Sequence, residues 1–228
     1  MLLKQIVAMR LLLVLCLLPA SALSTEAGDD GWPSWATSEF DLQQRIARVN
    51  EGELAFLADP LGTPVHHHKN RIRVTASSLH DGWVKLEQCH HHLDRVSAAQ
   101  IVFHPERSRA LEVTRYENMD TAVARGNTVQ LRGVGDESMV CLYGETRALV
   151  EIEDGVYELQ NGPYMRRFLD GYYPMRVSLR IEYPDRLTLA DFTPADQPGF
   201  SVSTVPGVVD AEAVFEGQLR TRFRFLAD

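Results

Sequence analysis

The chain has 228 residues, of which 45% are hydrophobic, and its net charge is −8. This size and apolar content allow one large or two small globular domains with a substantial core. The acidic balance argues against nucleic acid as a partner, because binding phosphates needs concentrated lysine and arginine.

A cleavable signal peptide is predicted over residues 1–24. Lys4 and Arg10 give a positively charged beginning, and residues 11–18 form an unbroken apolar run. Ala20-Ser21-Ala22 then supplies the small residues that a signal peptidase needs. The apolar run is shorter than the roughly 20 residues that cross a bilayer, so we expect no transmembrane segment in the mature chain. Export indicates a periplasmic protein, or a secreted one if the cell is not Gram-negative.

The next segment, residues 25–52, is predicted to form an N-terminal arm and a short helix. Residues 25–37 are acidic and show no periodicity. Ser38 and Asp41 are typical of a helix start, and apolar residues follow them at helical spacing.

Residues 53–228 are predicted to form an all-β domain, an antiparallel β-sandwich. Residues 176–183 alternate apolar and polar side chains, as a half-buried strand does. Many short strands separated by glycine, proline, aspartate and asparagine turns favour a sandwich or barrel. A break near residues 145–155 leaves open an alternative of two small β domains. The strand candidates are residues 53–58, 65–76, 83–93, 100–103, 111–116, 129–132, 139–143, 148–152, 176–183 and 219–225.

Two cysteines remain after the predicted cleavage, Cys89 and Cys141. In an oxidising compartment an even pair most simply forms a disulfide. We therefore predict a Cys89–Cys141 bond with a structural role.

The histidines form the one local feature that needs a specific explanation. All eight lie between His66 and His104, with triplets at residues 66–68 and 90–92. Matching the apolar faces of the strands on either side of residues 78–82 predicts a hairpin that pairs His68 with His90 or, in a register shifted by two residues, with His92. Because side chains alternate along a strand, the same ladder predicts His66, His68, His90 and His92 on one face.

Four imidazoles on one face predict a metal site. Neutral imidazole nitrogens suit copper and zinc, so we expect His66, His68, His90 and His92 to be ligands, with Asp94 and Glu87 orienting the rings. Three histidines and a water leave an open position for catalysis, whereas four close the site. The alternatives are that the rings simply bond to one another and to the backbone, or that an exposed cluster binds metal without function.

A second candidate site is the aromatic and basic segment 162–175. Tyrosine and arginine contribute much of the binding energy at interfaces, and this segment carries both. It either forms a recognition loop or packs over the sheet as a long connection. Arginine rows at 176/180 and 220/222/224 predict a positive face if their strands are neighbours. The candidate recognition residues are Tyr164, Arg166, Arg167, Tyr172 and Tyr173.

Three functional hypotheses follow. The first is a periplasmic metal-binding protein that holds copper or zinc through the histidine cluster. The second is a metal-free periplasmic binding or assembly protein that captures another protein through the 162–175 segment. The third is a metalloenzyme that uses the same histidines.

Overall fold

A computed structural model describes residues 50–58, 64–168 and 171–228. The predicted signal peptide, and all but the last residues of the predicted arm and helix, lie outside the described residues. The described part is almost entirely β-structure, as the sequence predicts. Its elements are β1 (Ala55–Phe56), β2 (His67–Arg73), α1 (Ser78–Asp81), β3 (Trp83–His91), β4 (Val96–Val102), β5 (Ser108–Glu117), β6 (Thr121–Arg125), β7 (Thr128–Val134), β8 (Met139–Arg147), β9 (Leu149–Glu153), β10 (Val156–Tyr164), β11 (Arg166–Phe168), β12 (Gly171–Tyr173), β13 (Met175–Glu182), β14 (Leu187–Thr193), β15 (Phe200–Val205), β16 (Val208–Glu216) and β17 (Leu219–Ala227).

The largest sheet has eight strands in the order β1-β16-β13-β2-β3-β8-β5, with β15 also paired to β16. Its pairings are antiparallel except that of β2 with β13, which is parallel. Strand β13 shows why one face is buried: Val177, Leu179 and Ile181 point inward, whereas Arg176 and Arg180 are exposed. We call the buried side of this sheet the inner face.

A four-stranded sheet, β14-β17-β10-β9, covers one part of the inner face. Phe223 and Phe225 of β17 and Leu159 of β10 are fully buried in one apolar cluster with residues of β2, β3, β13 and β16. This is the main core of a sandwich. Burying one such phenylalanine contributes roughly 1.5–3 kcal/mol relative to exposure.

A three-stranded sheet, β4-β7-β6, covers another part of the inner face. Its Val129 and Leu131 form a second apolar cluster with Val140 and Leu142 of β8. Phe103, just after β4, packs against both clusters. The inner face is therefore covered by two separate sheets, one packed on β2, β3, β13 and β16 and the other on β8.

Two connections differ from the sequence-based expectation. The predicted loop between β2 and β3 contains a single helical turn, α1, which Gly82 ends in the left-handed conformation at φ 76°. In the region of the predicted break near residues 145–155, β8 continues to Arg147 and β9 begins at Leu149.

The two cysteines lie directly opposite each other on neighbouring strands β3 and β8. Their sulfurs are at bonding distance, in agreement with the predicted disulfide. The bond lies on the outer face of the large sheet, because Gln88 and His90 on either side of Cys89 point inward. Within the described ranges, no helix is both long and apolar enough to cross a membrane.

Candidate functional site

The inner face of β2 and β3 changes from apolar to polar along its length. At one end Ile72 lies opposite Leu86, and both side chains belong to the main core. Further along, Asn70 lies opposite Gln88 and His68 opposite His90, and all four are buried. Strand alternation thus places polar side chains where a sandwich normally has apolar ones, so these residues need partners inside the protein.

Three histidine rings meet on this polar patch. The ring centroids of His68 and His90 are 4.2 Å apart, and those of His66 and His90 are 5.2 Å apart. Of the two predicted registers, the one with His68 opposite His90 is observed. The rings contact one another directly, as stacked imidazoles.

Hydrogen bonds fix the tautomers of two of these rings. Gln88 Nε2 lies 2.6 Å from His90 Nε2, and since an amide nitrogen only donates, the ring nitrogen accepts. The proton of His90 is then on Nδ1, which donates to His66 Nε2 at 2.9 Å. Both nitrogens of His90 are occupied by protein partners.

Burial keeps the three imidazoles neutral. Loss of solvent lowers the pKa of His66 to about 4, with a further contribution from the positive charge of Arg166. Burial also lowers the pKa of His68 to about 3 and that of His90 well below the usual value. At neutral pH the patch therefore carries no charge of its own and offers both donors and acceptors.

Several polar atoms of the patch have no partner. His68 Nε2, Asn70 Nδ2 and Asn161 Nδ2 are buried without a hydrogen bond. The three residues are only 7%, 5% and 9% exposed. Each unsatisfied buried group costs about 1–3 kcal/mol, which native proteins normally avoid unless the group has a function.

These atoms lie at the floor of a pocket of about 880 Å³. It opens between the two sheets that cover the inner face, with β4 on one side and residues 160–168 on the other. Its walls are mostly apolar, and its volume is in the range typical of ligand sites. The wall residues include Leu93, Val96, Ile101, Phe103, Leu131 and Pro163.

The 162–175 segment borders the same pocket, a link that sequence alone did not predict. It forms the hairpin β11–β12. Arg166 forms an ion pair with Asp94, and its Nη1 also donates to the carbonyl of Pro174 at 3.0 Å. Tyr164 is buried, with its ring edge-on to His68 at 5.2 Å.

The remaining recognition residues lie further out on this hairpin. Arg167 packs over the ring of Tyr172 at 5.6 Å, and Tyr173 lies within cation–π distance of Arg166. Of the five predicted recognition residues, Tyr164, Arg166 and Arg167 line the pocket.

Two predicted members of the histidine site lie elsewhere. Strand β3 ends at His91, and His92 is exposed with a left-handed φ of 52°, so the ladder does not bring it to the other rings. Glu87 points to the outer face, where it lies 3.6 Å from Arg71. Asp94 lies beside the patch, but its carboxylate pairs with Arg166. In the part of the chain that the structure describes, no group of three or more histidine, cysteine or acidic side chains is arranged to hold a metal ion.

The outer histidines form a separate pair. His67 lies opposite His91 with centroids 6.3 Å apart, and its Nε2 lies 2.6 Å from the hydroxyl of Ser178. Their direction, away from His68 and His90, agrees with the predicted alternation.

The predicted positive face does not form. Arg176 and Arg180 belong to the large sheet, where they pair with Glu212 and Asp210. Arg224 belongs to the four-stranded sheet and pairs with Asp191. The rows therefore belong to two different sheets, and of the second row Arg220 lines the pocket.

The amide side chains of Asn70, Gln88 and Asn161 were not identified from the sequence as part of the site. Alternation from Ile72 and Leu86 already places Asn70 and Gln88 on the inner face, so this signal was present in the pattern. Asn161 had no such signal, because it reaches the patch through the pairing of β10 with β17.

No protein-family model matches the chain, and no curated protein matches it. Among solved structures it is similar to a two-domain M1 zinc metallopeptidase bound to L-tryptophan, with 11% identity, a TM-score of 0.39, and coverage of 78% of this chain and 44% of that one. A second similar structure is an M1 zinc metallopeptidase from Deinococcus radiodurans bound to a Tyr-Ser-Ala substrate, with 12% identity, a TM-score of 0.39, and coverage of 71% and 42%. The chain thus spans less than half the length of these proteins.

Proposed function

We propose that this protein binds a small organic molecule in the pocket above the polar patch. The observation that carries the proposal is the set of three unpartnered buried atoms at the floor, on His68, Asn70 and Asn161. A ligand with oxygen atoms in the pocket supplies acceptors for the two amide donors and relieves their desolvation penalty. This is the metal-free binding hypothesis, with a small molecule in place of a protein partner.

Three features support a ligand site over a purely structural polar core. The pocket is large enough for an organic molecule. Its walls are mostly apolar and its floor is polar, the usual composition of such sites. Finally, the segment 162–168 that borders it is positioned by an irregularity in β10 between Asn161 and Tyr164, where Gly162 has φ 91°.

A fluorescence titration with a neutral apolar probe, N-phenyl-1-naphthylamine, tests the proposal. We expect saturable binding to one site. Ala98→Trp places a bulky side chain at an exposed position that lines the pocket, and we expect it to weaken binding about tenfold or more, equivalent to about 1.4 kcal/mol. Ala55→Trp, at an exposed alanine of β1 that does not line the pocket, is the matched control. Equal affinity in the wild type and both variants, or no saturable binding, rejects the pocket as a ligand site.

A second candidate function is the binding of a copper or zinc ion through His66, His68 and His90. Neutral imidazoles in contact on one patch favour it, as does the unpartnered Nε2 of His68. The ion requires His90 to release one of its two hydrogen bonds, because both of its ring nitrogens have partners. A catalytic role for such an ion, the third hypothesis, needs a further open coordination position.

Calorimetry of untagged protein with Zn²⁺ and Cu²⁺ separates this candidate from adventitious binding. Because burial lowers the pKa of His66 to about 4 and that of His68 to about 3, affinity at this patch should persist to about pH 5. Binding by ordinary exposed histidines fades below about pH 6.5. His68→Leu should abolish the persistent component, and the exposed His80→Gln should retain it. Binding that is lost near pH 6.5, or that survives His68→Leu, contradicts this candidate.

A further inference from the structure

The charges that line the pocket are unlike those of the chain as a whole. The protein has a net charge of −8. The pocket, however, is bordered by five arginines, at positions 107, 147, 166, 167 and 220. Of the residues that line it, one is acidic, Asp94. Since Asp94 and Arg166 neutralise each other in an ion pair, four positive side chains surround an otherwise uncharged site.

Two of these arginines are held side by side. The backbone N–H of Arg147 donates to the carbonyl of Arg107 at 3.0 Å, and the Thr146 hydroxyl donates to the same carbonyl at 2.9 Å. Both guanidinium side chains are exposed, so they lie at the mouth and not at the floor. This backbone bridge holds the main-chain positions of the two arginines next to each other at one edge of the opening.

The positive side chains at the mouth differ from several arginines of the sheet surfaces. Arg109, Arg176 and Arg180 each pair with a carboxylate. Among the described residues, Arg107, Arg147 and Arg220 form no ion pair within 4.0 Å. Arg107 and Arg147 also border a second depression that contains the acids at positions 81, 106 and 151, yet none of these carboxylates reaches them.

The body of the pocket has the opposite character. Behind the mouth, Val96, Ile101, Phe103 and Leu131 present apolar surface that an organic chain or ring covers favourably. Charge at the mouth and apolar surface behind it together select for a molecule with the same two parts.

We infer that the ligand is an amphiphilic organic anion, with its apolar body along the β4 wall and its acidic group at Arg107, Arg147 and Arg220. This inference rests on the proposed function and adds the chemical class of the ligand. Carboxylate and phosphate groups are both suited to arginine, whose planar fork donates two parallel hydrogen bonds to either one. A charged group at the mouth also avoids the cost of burying an ion beside neutral imidazoles.

Displacement of N-phenyl-1-naphthylamine by decanoate, decanol and decyltrimethylammonium tests the inference, because these share a chain and differ in the charge of the head. We expect decanoate to bind at least about tenfold more tightly than decanol, since a charged hydrogen bond is worth about 1.5–3 kcal/mol, and the cation most weakly. The triple variant Arg107→Gln, Arg147→Gln and Arg220→Gln should remove this preference, because it weakens the binding of decanoate far more than that of decanol.

The control is a second triple variant of equal charge, Arg125→Gln, Arg186→Gln and Arg222→Gln, at positions that do not line the pocket. It should keep the preference for decanoate.

Equal binding of decanoate and decanol overturns the anion inference but leaves the pocket as a binding site. An equal loss of decanoate in both triple variants overturns it too, because the effect is then one of total charge. If none of the three compounds displaces a bound probe, the inference fails, and if the probe itself does not bind, the proposed function fails with it. Circular dichroism of both triple variants checks that each is folded.

Discussion

Replacing Asn70 with leucine separates a binding residue from a structural one, because the two roles predict opposite changes in stability. Asn70 is 5% exposed and its Nδ2 has no hydrogen-bond partner. A buried unsatisfied donor costs about 1–3 kcal/mol, and replacing it with an apolar group of similar shape removes that cost. We therefore expect Asn70→Leu to raise the free energy of unfolding by about 1–2 kcal/mol, equivalent to an increase in Tm of roughly 2–8 °C.

The matched control is Asn127→Leu. The amide of Asn127 has a partner, since its Nδ2 donates to the carbonyl of Phe103 at 2.6 Å. Removing this bond leaves the carbonyl unsatisfied and should lower the free energy of unfolding by about 1–2 kcal/mol. The two substitutions are chemically identical, but Asn127 lies in the turn between β6 and β7 and Asn70 within β2, so the comparison uses the sign of the change in stability.

Urea unfolding followed by circular dichroism gives both free energies, and displacement of N-phenyl-1-naphthylamine by decanoate gives the ligand affinity of each variant. Asn70→Leu should be more stable than the wild type and should bind decanoate more weakly, which is the trade-off expected where a site is kept polar for function. A loss of stability in Asn70→Leu as large as in Asn127→Leu would falsify the reasoning, because the amide must then have a structural partner.

Three other predictions concern the fold around the site. Burial lowers the pKa of His68 to about 3, so between pH 7 and pH 5 the unfolded state binds a proton at His68 and the folded state does not. This difference favours unfolding as the pH falls. His68→Leu removes it and should reduce the loss of stability between pH 7 and pH 5 by about 2 kcal/mol. The exposed His80→Gln, measured by the same urea titration, should leave that loss unchanged. Gly162→Ala places a Cβ atom 2.4 Å from the carbonyl oxygen of Leu219, whereas at Gly126, which also has a positive φ, nothing lies within 4 Å. Thermal unfolding should show that Gly162→Ala is at least about 1 kcal/mol less stable than Gly126→Ala. Equal losses of stability in the two variants contradict the close approach. The disulfide joins residues 52 positions apart in the sequence. Its reduction should lower the free energy of unfolding by about 4 kcal/mol, because the unfolded chain loses a loop constraint. An unchanged urea midpoint under reducing conditions excludes a structural role.

Local patterns were sufficient to predict one part of the site. Two apolar pairs on the same ladder limit the pairing to registers that bury both faces correctly, one with His68 opposite His90 and one with His68 opposite His92. The prediction that His92 shares this face is wrong because the strand ends before it. His92 follows the last residue of β3 and has a left-handed conformation with φ 52°. Alternation applies only within a strand, and sequence places strand ends with an uncertainty of a few residues.

The rest of the pocket depends on pairings between distant segments. Asn161 reaches the patch because β10 pairs with β17, and the large sheet itself is completed by the parallel pairing of β2 with β13. Arg147 and Arg220 come from two further strands in two different sheets. Each of these segments looks like an ordinary solvated strand by itself, so no local signal predicts that their side chains share one opening.

The two candidate functions depend on the same atoms and therefore exclude each other at this patch. An organic ligand uses the His66–His90 and Gln88–His90 hydrogen bonds as they stand, because they hold the floor rigid and neutral. A metal ion must break one of them and places a positive charge next to Arg166, whose charge, after burial, already contributes to the lowered pKa of His66. The organic ligand requires no such rearrangement, and its acidic group completes the charge balance at the mouth. The existing hydrogen bonds and the arginine charges thus favour the organic anion over the metal ion.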